Sequence, residues 1–272
     1  MAEHLNRLKK GEQRMQQAIE ASTFKVAEVP IEYEGLVNPE NYKFIVNTET
    51  SKVISCMTKD YRLVSNQEVI EKSLPHIEKR GGTLTECKMF GNGARTSWTF
   101  QFKDHPVTIQ DDILYPQINI RNSYDGSAMV TVLGGVYRLV CSNGAIIGKI
   151  FESHSERHTV WNTNLGNGLI GDMVKKTIYS MENVFTKEFP VLFDTMITDK
   201  DIVKVVEKLP TKYNEDAVNY ILAHKPKTYW DLFNVCTWIL THRANRNHET
   251  THRLETEIYH FIRKMVPDIA EA

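Results

Sequence analysis

Residues Leu114 to Gly148 read LYPQINIRNSYDGSAMVTVLGGVYRLVCSNGAIIG. The run has the form of a strand, a tight turn and a second long strand that ends at a glycine-marked corner. Leu114, Pro116, Ile118 and Ile120 share one parity, while Tyr115, Gln117, Asn119 and Arg121 take the other. That is the period-two pattern of a half-buried strand, with one apolar and one polar face. Asp125-Gly126 supplies the hairpin, because glycine accepts the positive φ of a primed turn and aspartate tolerates it better than most residues. Beyond it, Ala128 to Val140 is rich in β-branched and apolar residues. Gly134-Gly135 interrupts that arm where a bulge or bend is expected. Arg138 then precedes a second turn, Cys141-Ser142-Asn143-Gly144.

Two further hairpins are predicted upstream. Tyr42 to Val46 and Lys52 to Met57 flank a polar Asn47–Ser51 turn, and Thr83 to Phe90 and Ala94 to Phe102 flank Gly91-Asn92-Gly93. The last arm sets Trp98, Phe100 and Phe102 on one face. Between these hairpins, Ser65 or Asn66 caps a helix carrying Val69, Ile70, Leu74 and Ile77, with Pro75 expected to kink or divide it. From Gly168 the period becomes helical. Ile170, Met173, Val174, Ile178, Met181, Val184 and Phe185 form a stripe ending near Pro190, and Asp199 is placed as the cap of a short helix that stops at Pro210. Thr228 and Asp231 match a capping box ahead of another helix, and a last one is predicted from about Glu249 to Met265. The fold class is therefore α+β: an antiparallel, hairpin-rich sheet in the N-terminal half and a helical C-terminal half. The expected organisation is an N-terminal arm over 1–41, a β-rich core over 42–165 and a helical region over 166–272 packed on that core.

Composition bounds the function. The chain has 272 residues, 41% hydrophobic, with 33 basic and 34 acidic side chains and a formal charge of −1. It can fill a real core, but no global field draws it to a polyanion, so an anionic partner needs a local patch. Cys56, Cys87, Cys141 and Cys236 form no CxxC pair and are expected to be reduced and structural, as in the cytoplasm. The first residues lack the apolar core of a secretory signal, and no run approaches the roughly 20 apolar residues of a membrane span. No membrane partner and no cofactor are expected.

Several stretches suggest chemistry. Arg121 to Ser127 has a superficial likeness to the lysine-x-aspartate-glycine signature of nucleotidyl transfer, but Ser123 stands where the lysine amine is required, so a plain turn is favoured. His242, His248 and His252 offer imidazoles, the last two at helical i, i+4 spacing, without the acidic residues of a metalloenzyme motif; a solvated face is favoured over a metal site. Cys141 would need a base such as His154 or His158 to act as a nucleophile, and a buried thiol is favoured. The remaining cluster is basic and aromatic: Arg121, Tyr124, Arg138, Lys149, His154, Arg157, His158 and Trp161 lie in or just after the central hairpin. Cations neutralise phosphates and aromatic faces stack unpaired bases, a combination suited to single-stranded nucleic acid. The competing reading pairs Arg121 and Arg138 with Asp111, Asp112, Asp125 or Glu152.

Four segments carry a family likeness: Lys52-Val53-Ile54 leading to Tyr61–Glu68; Asn122-Ser123-Tyr124-Asp125-Gly126-Ser127; Arg138–Gly144; and Trp230-Asp231-Leu232-Phe233-Asn234 with Thr237 and His242. In this order they resemble the phage/plasmid-like protein family, widespread in phage and plasmid genomes and long catalogued as a domain of unknown function. The likeness covers about Tyr42 to the C-terminal helices. It implies a mobile-element protein acting on phage DNA in replication, recombination or transcription, and it carries over no catalytic residue. The expectation is a non-enzymatic, phage-encoded single-stranded DNA-binding protein of the host cytoplasm. It would act in annealing, strand protection or recruitment of polymerase or recombination proteins, and would form a homo-oligomer. Arg121, Arg138, Lys149 and Arg157 would hold phosphates, with His154 beside them. Tyr124 and Trp161 would stack bases, and Asn122 and Asn143 would fix the turns or bond backbone oxygens. The alternatives are a factor that binds a host or phage protein, and a metal-dependent enzyme on nucleotides or nucleic acid.

Overall fold

A computed structural model of the chain describes residues 13, 15–33, 35–37, 41–104, 106–109, 112–138, 152–158, 169–243, 248–266 and 269. The backbone gathers into two compact units. The first comprises Met1–Asp104, Ile118–Leu133 and Ser153–Thr177; the second comprises His105–Gln117, Gly134–Glu152 and Ile178–Ala272. The architecture is α+β, with antiparallel sheets in the N-terminal half and helices after them.

In the first unit, β1 (Val26–Pro30), β4 (Tyr42–Asn47) and β5 (Lys52–Thr58) form an antiparallel sheet in the order β1-β4-β5. A two-residue-per-strand ribbon, β2 (Glu32–Tyr33) with β3 (Leu36–Val37), precedes β4. The predicted β4–β5 hairpin is present. Asn47 closes it by accepting the Glu49 and Thr50 amides at 2.9 and 3.1 Å, an aspartate-type turn that its short amide side chain permits. The segment expected to be an arm is instead partly built into the unit. Helix α1 (15–22) ends at Ser22, whose Oγ accepts the Trp98 indole N–H at 2.9 Å, and Phe24 packs with Ile45, Tyr61 and Tyr124. Burial of such side chains contributes about 1.5–3 kcal/mol each, which the sparse polar sequence before Phe24 conceals.

The larger sheet runs β11-β10-β9-β7-β6, with β8 on β9. Its strands are β6 (Thr83–Phe90), β7 (Arg95–Gln101), β8 (Val107–Ile109), β9 (Asp112–Ser123), β10 (Val130–Arg138) and β11 (Glu152–Glu156). β9 and β10 are the two arms of Leu114–Gly148. The connection is longer than the predicted two-residue turn: six residues separate Ser123 from Val130, and of Asp125-Gly126 only Gly126 has positive φ, at 67°. The Asp125 carboxylate accepts from the Ser127 amide and hydroxyl at 3.0 and 2.5 Å, so side-chain bonds shape the loop. A Cβ on Gly126 would meet Met57 Cε at 2.7 Å. Gly134 and Gly135 are buried within β10. Helix α2 (Asn66–Glu78), capped by Ser65, passes through Pro75 as one element.

The second unit is mainly helical. Helix α3 (Leu169–Asn183), which begins in the first unit, continues as a π-helical turn (Val184–Glu188) into α4 (Phe189–Asp194). Pro190 therefore opens α4, where its missing N–H is tolerated. Then follow α5 (Asp199–Val206), a single 3-10 turn (Thr211–Tyr213), α6 (Asn214–His224), α7 (Tyr229–His242) and α8 (His248–Met265). Thr198, not Asp199, caps α5. Trp230, Leu232, Phe233, Cys236, Ile239 and Leu240 of α7 are buried, and the Trp230 ring lies 4.5 and 4.8 Å from those of Phe193 and Phe189. Among the described residues the cysteines are free, and no helix is long and apolar enough to cross a membrane.

Candidate nucleic-acid interface

Asn122, Ser123 and Tyr124 of the Asn122–Ser127 motif are buried, while Gly126 and Ser127 are exposed. Asn122 Nδ2 donates to the Val64 carbonyl at 2.9 Å and to Asn66 Oδ1 at 2.8 Å. Asn66 Nδ2 in turn donates to the Ser22 carbonyl (2.7 Å) and Thr96 Oγ1 (3.0 Å), and its backbone N–H reaches the Tyr124 hydroxyl at 2.7 Å. The Tyr61 hydroxyl donates to the Ser123 carbonyl at 2.8 Å, and Ser55 Oγ to the Tyr124 carbonyl at 2.5 Å. Burial pushes both the Tyr61 and Tyr124 phenols above their ordinary range, so both stay protonated, Tyr61 as a donor and Tyr124 as the acceptor of the Asn66 amide. This buried polar network joins β5, β7 and β9 to α1 and α2, with no partner for Asn122 Oδ1 among the described residues.

Two expected roles are corrected by that geometry. Tyr124 is 0% exposed and offers no face to a base. Asn122, also buried, fixes the fold and does not reach a strand. Ser123 Oγ donates to the Ala128 carbonyl at 2.8 Å inside its own loop, in keeping with the plain turn favoured there. Stacking aromatics were assigned by residue type and place in the hairpin; the parity of the loop, which turns Tyr124 onto the apolar side with Phe24, is not visible in periodicity.

The opposite face of the sheet is polar. Trp98, Phe100, Ile118, Ile120, Val130 and Val132 are buried on one side, so their alternates share the other. Asn119 Nδ2 bridges Ser97 Oγ and Thr99 Oγ1 at 2.8 and 2.9 Å, and Arg121 Nε donates to Asn119 Oδ1 at 2.7 Å. On the next strands Thr131 and Ser155 hydroxyls meet at 3.1 Å. The β6–β7 register places Lys88 opposite Ser97 and Phe90 opposite Arg95, which adds both to this face. Lys88 and Arg95 are exposed, as is Arg157 just after β11, and Arg121 is half-buried. Phe90 is 48% exposed at the margin, a sequence position read only as the end of a strand. The face also carries acids: Glu86 holds Lys88 at 2.7 Å, and Asp125 lies 3.7 Å from Arg95.

Of the other expected residues, Arg138 ends β10 and His154 lies in β11, both placed by backbone alone, while Asn143, Lys149 and Trp161 lie outside the described residues, as does Cys141. His158 is buried against Tyr61, rings stacked at 5.2 Å. His242 is exposed at the end of α7, and no group of three or more potential metal-binding side chains occurs among the described residues. The arrangement on the sheet face is one of fixed hydroxyl, amide and guanidinium donors, suited to phosphate and sugar oxygens.

The model of one protein family, described as a domain of unknown function (DUF932), matches residues 53–259. No curated protein and no solved structure matches the chain. The matched span includes the buried network on Tyr61, Asn66, Asn122, Ser123 and Tyr124, so the motif residues in it have a structural reason to hold their identities.

Proposed function

We propose that this chain, which belongs to the DUF932 family of unknown function, is a non-enzymatic single-stranded DNA-binding protein of a phage or plasmid, working in the host cytoplasm. The observation that carries the reading is the polar side of the large sheet, which is buried at Thr99, Gln101 and Gln117 and open toward Lys88, Arg95 and Arg157. Arg121, Arg95, Arg157 and Lys88 surround a row of hydroxyl and amide groups there, with Phe90 at the edge, while the reverse side is packed. The cations hold phosphates, and the Asn119 bridge presets the Arg121 guanidinium so that less side-chain entropy is lost on binding. Bases extend toward Phe90 and stack without sequence preference. A strand held in this way is protected and presented for annealing, and replication, recombination or transcription proteins are the partners such a role requires. Self-association would extend the face from one copy to the next.

Alanine at Arg121 or Arg157 tests the face. Each substitution is expected to weaken binding evenly across sequences and to lower the salt slope by about one. Unchanged affinity and slope in both folded variants would remove the sheet face from the interface.

A further inference from the structure

The second unit carries an aromatic and basic feature that the sheet-face reading does not use. On α6 the His224 ring stacks on Tyr220, centroids 3.8 Å apart and planes within 12°. Tyr220 stacks on Trp238 of α7 at 4.2 Å and 26°. Beyond Trp238 the column continues with His242 at 5.1 Å and the Arg243 guanidinium at 5.6 Å over the indole. Helix–helix packing accounts for the Tyr220–Trp238 contact. It does not account for the ends, since His224, His242 and Arg243 are exposed and Tyr220 and Trp238 only half-buried. The outer ring of the column therefore faces water.

The chain leaving His224 is basic and held in place. Lys225 takes the left-handed conformation (φ 45°) as the C-cap of α6, its N–H bonded to the Ile221 carbonyl at 2.8 Å. Lys227 follows; its carbonyl accepts the Ile197 amide at 3.0 Å, and the Tyr229 amide reaches the Thr195 carbonyl at 3.2 Å. Both lysine side chains belong to exposed residues. The nearest carboxylate in sequence, Asp231, is engaged by the Lys227 and Thr228 amides at 2.9 and 3.1 Å as the cap of α7. The loop thus presents two ammonium groups beside an open imidazole face, on a backbone that does not have to order on binding. Preorganised cations next to a free aromatic face are what an unpaired nucleotide needs: a counter-charge for phosphate and a surface for the base.

We infer that the α6–α7 column is a second binding site for single-stranded nucleic acid, in which a base extends the stack on His224 and the adjoining phosphates lie on Lys225 and Lys227. The inference rests on the single-strand reading above and adds a site in the other unit. The test uses the full chain, a thymine strand and an abasic strand of equal length, with affinity read by anisotropy and folding by circular dichroism. His224→Ala is expected to weaken binding of the thymine strand about tenfold, the scale of one lost stack. His224→Phe, which keeps a ring, is expected to restore binding, and the difference between the two variants should vanish on the abasic strand. The Lys225→Glu/Lys227→Glu variant should lose affinity for both strands. If the wild-type chain binds the thymine strand and all three variants bind it equally well, this site is wrong and the single-strand reading stands. Equal loss in the alanine and phenylalanine variants would overturn the stacking role. No binding by the wild type would overturn both.

Discussion

His158 sits where a charge is hardest to accommodate. It is 7% exposed, lies parallel to Tyr61, and turns Nδ1 to the Arg62 carbonyl at 3.3 Å. Burial pushes its pKa from the ordinary 6.5 down to about 4, with the Arg62 carbonyl opposing that shift. Between those values the unfolded chain binds the proton and the folded chain does not. Stability is therefore full above about 6.5, falls as the pH drops through the window, and levels off below about 4. At roughly 1.4 kcal/mol per pH unit the whole loss is on the order of 3 kcal/mol. His158→Phe keeps the ring contact and removes the titration. The expected outcome is a smaller drop in melting temperature between pH 7 and pH 4.5 in the variant than in the wild type; equal drops would show that His158 is not the buried base described. Sequence reading put His158 in a strand-binding cluster with Arg121 and Arg157, whereas its ring is buried. It failed on Tyr124 and Asn122, because polarity in a turn motif looks the same whether the side chains serve a ligand or a buried network.

Elements were legible where one periodicity or one cap decided them. The Thr228–Asp231 box is present as read: Thr228 Oγ1 accepts the Asp231 amide at 3.2 Å, and the carboxylate returns to the Thr228 amide at 3.1 Å. Thr228→Ala removes the hydroxyl acceptor and is expected to lower stability by about 1 kcal/mol in urea unfolding. A change below about 0.3 kcal/mol would mean that the cap is redundant with the backbone pairing of that loop. Elements governed by longer-range packing were less legible. Helix α6 went unread, since its aromatic residues pack on α7 and its own stripe is interrupted by the exposed Leu222. The α3 stripe does not stop near Pro190 because a π-helical turn intervenes. That turn places Glu188 to accept the Tyr259 hydroxyl at 2.5 Å and to pair with Arg263 at 3.0 Å, bonds that no local pattern announces.

At the scale of the molecule, a formal charge of −1 rules out binding by bulk electrostatics. The proposed strand binding therefore rests on local sites, one in each unit: the polar sheet face in the first and the stacked column in the second. The α+β order was readable because composition changes from period two to period 3.6 near Gly168. The sites were only partly readable, because which face of a strand or helix stays open is decided by what packs on the other face. The measurement that decides the account is fluorescence anisotropy of a labelled strand of about 30 nucleotides and of its duplex, titrated with the full chain from low to physiological salt. The single strand is expected to bind more tightly than the duplex, and to bind less tightly as salt rises. Equal or tighter binding of the duplex, or no binding of either at low salt, would contradict the single-strand reading.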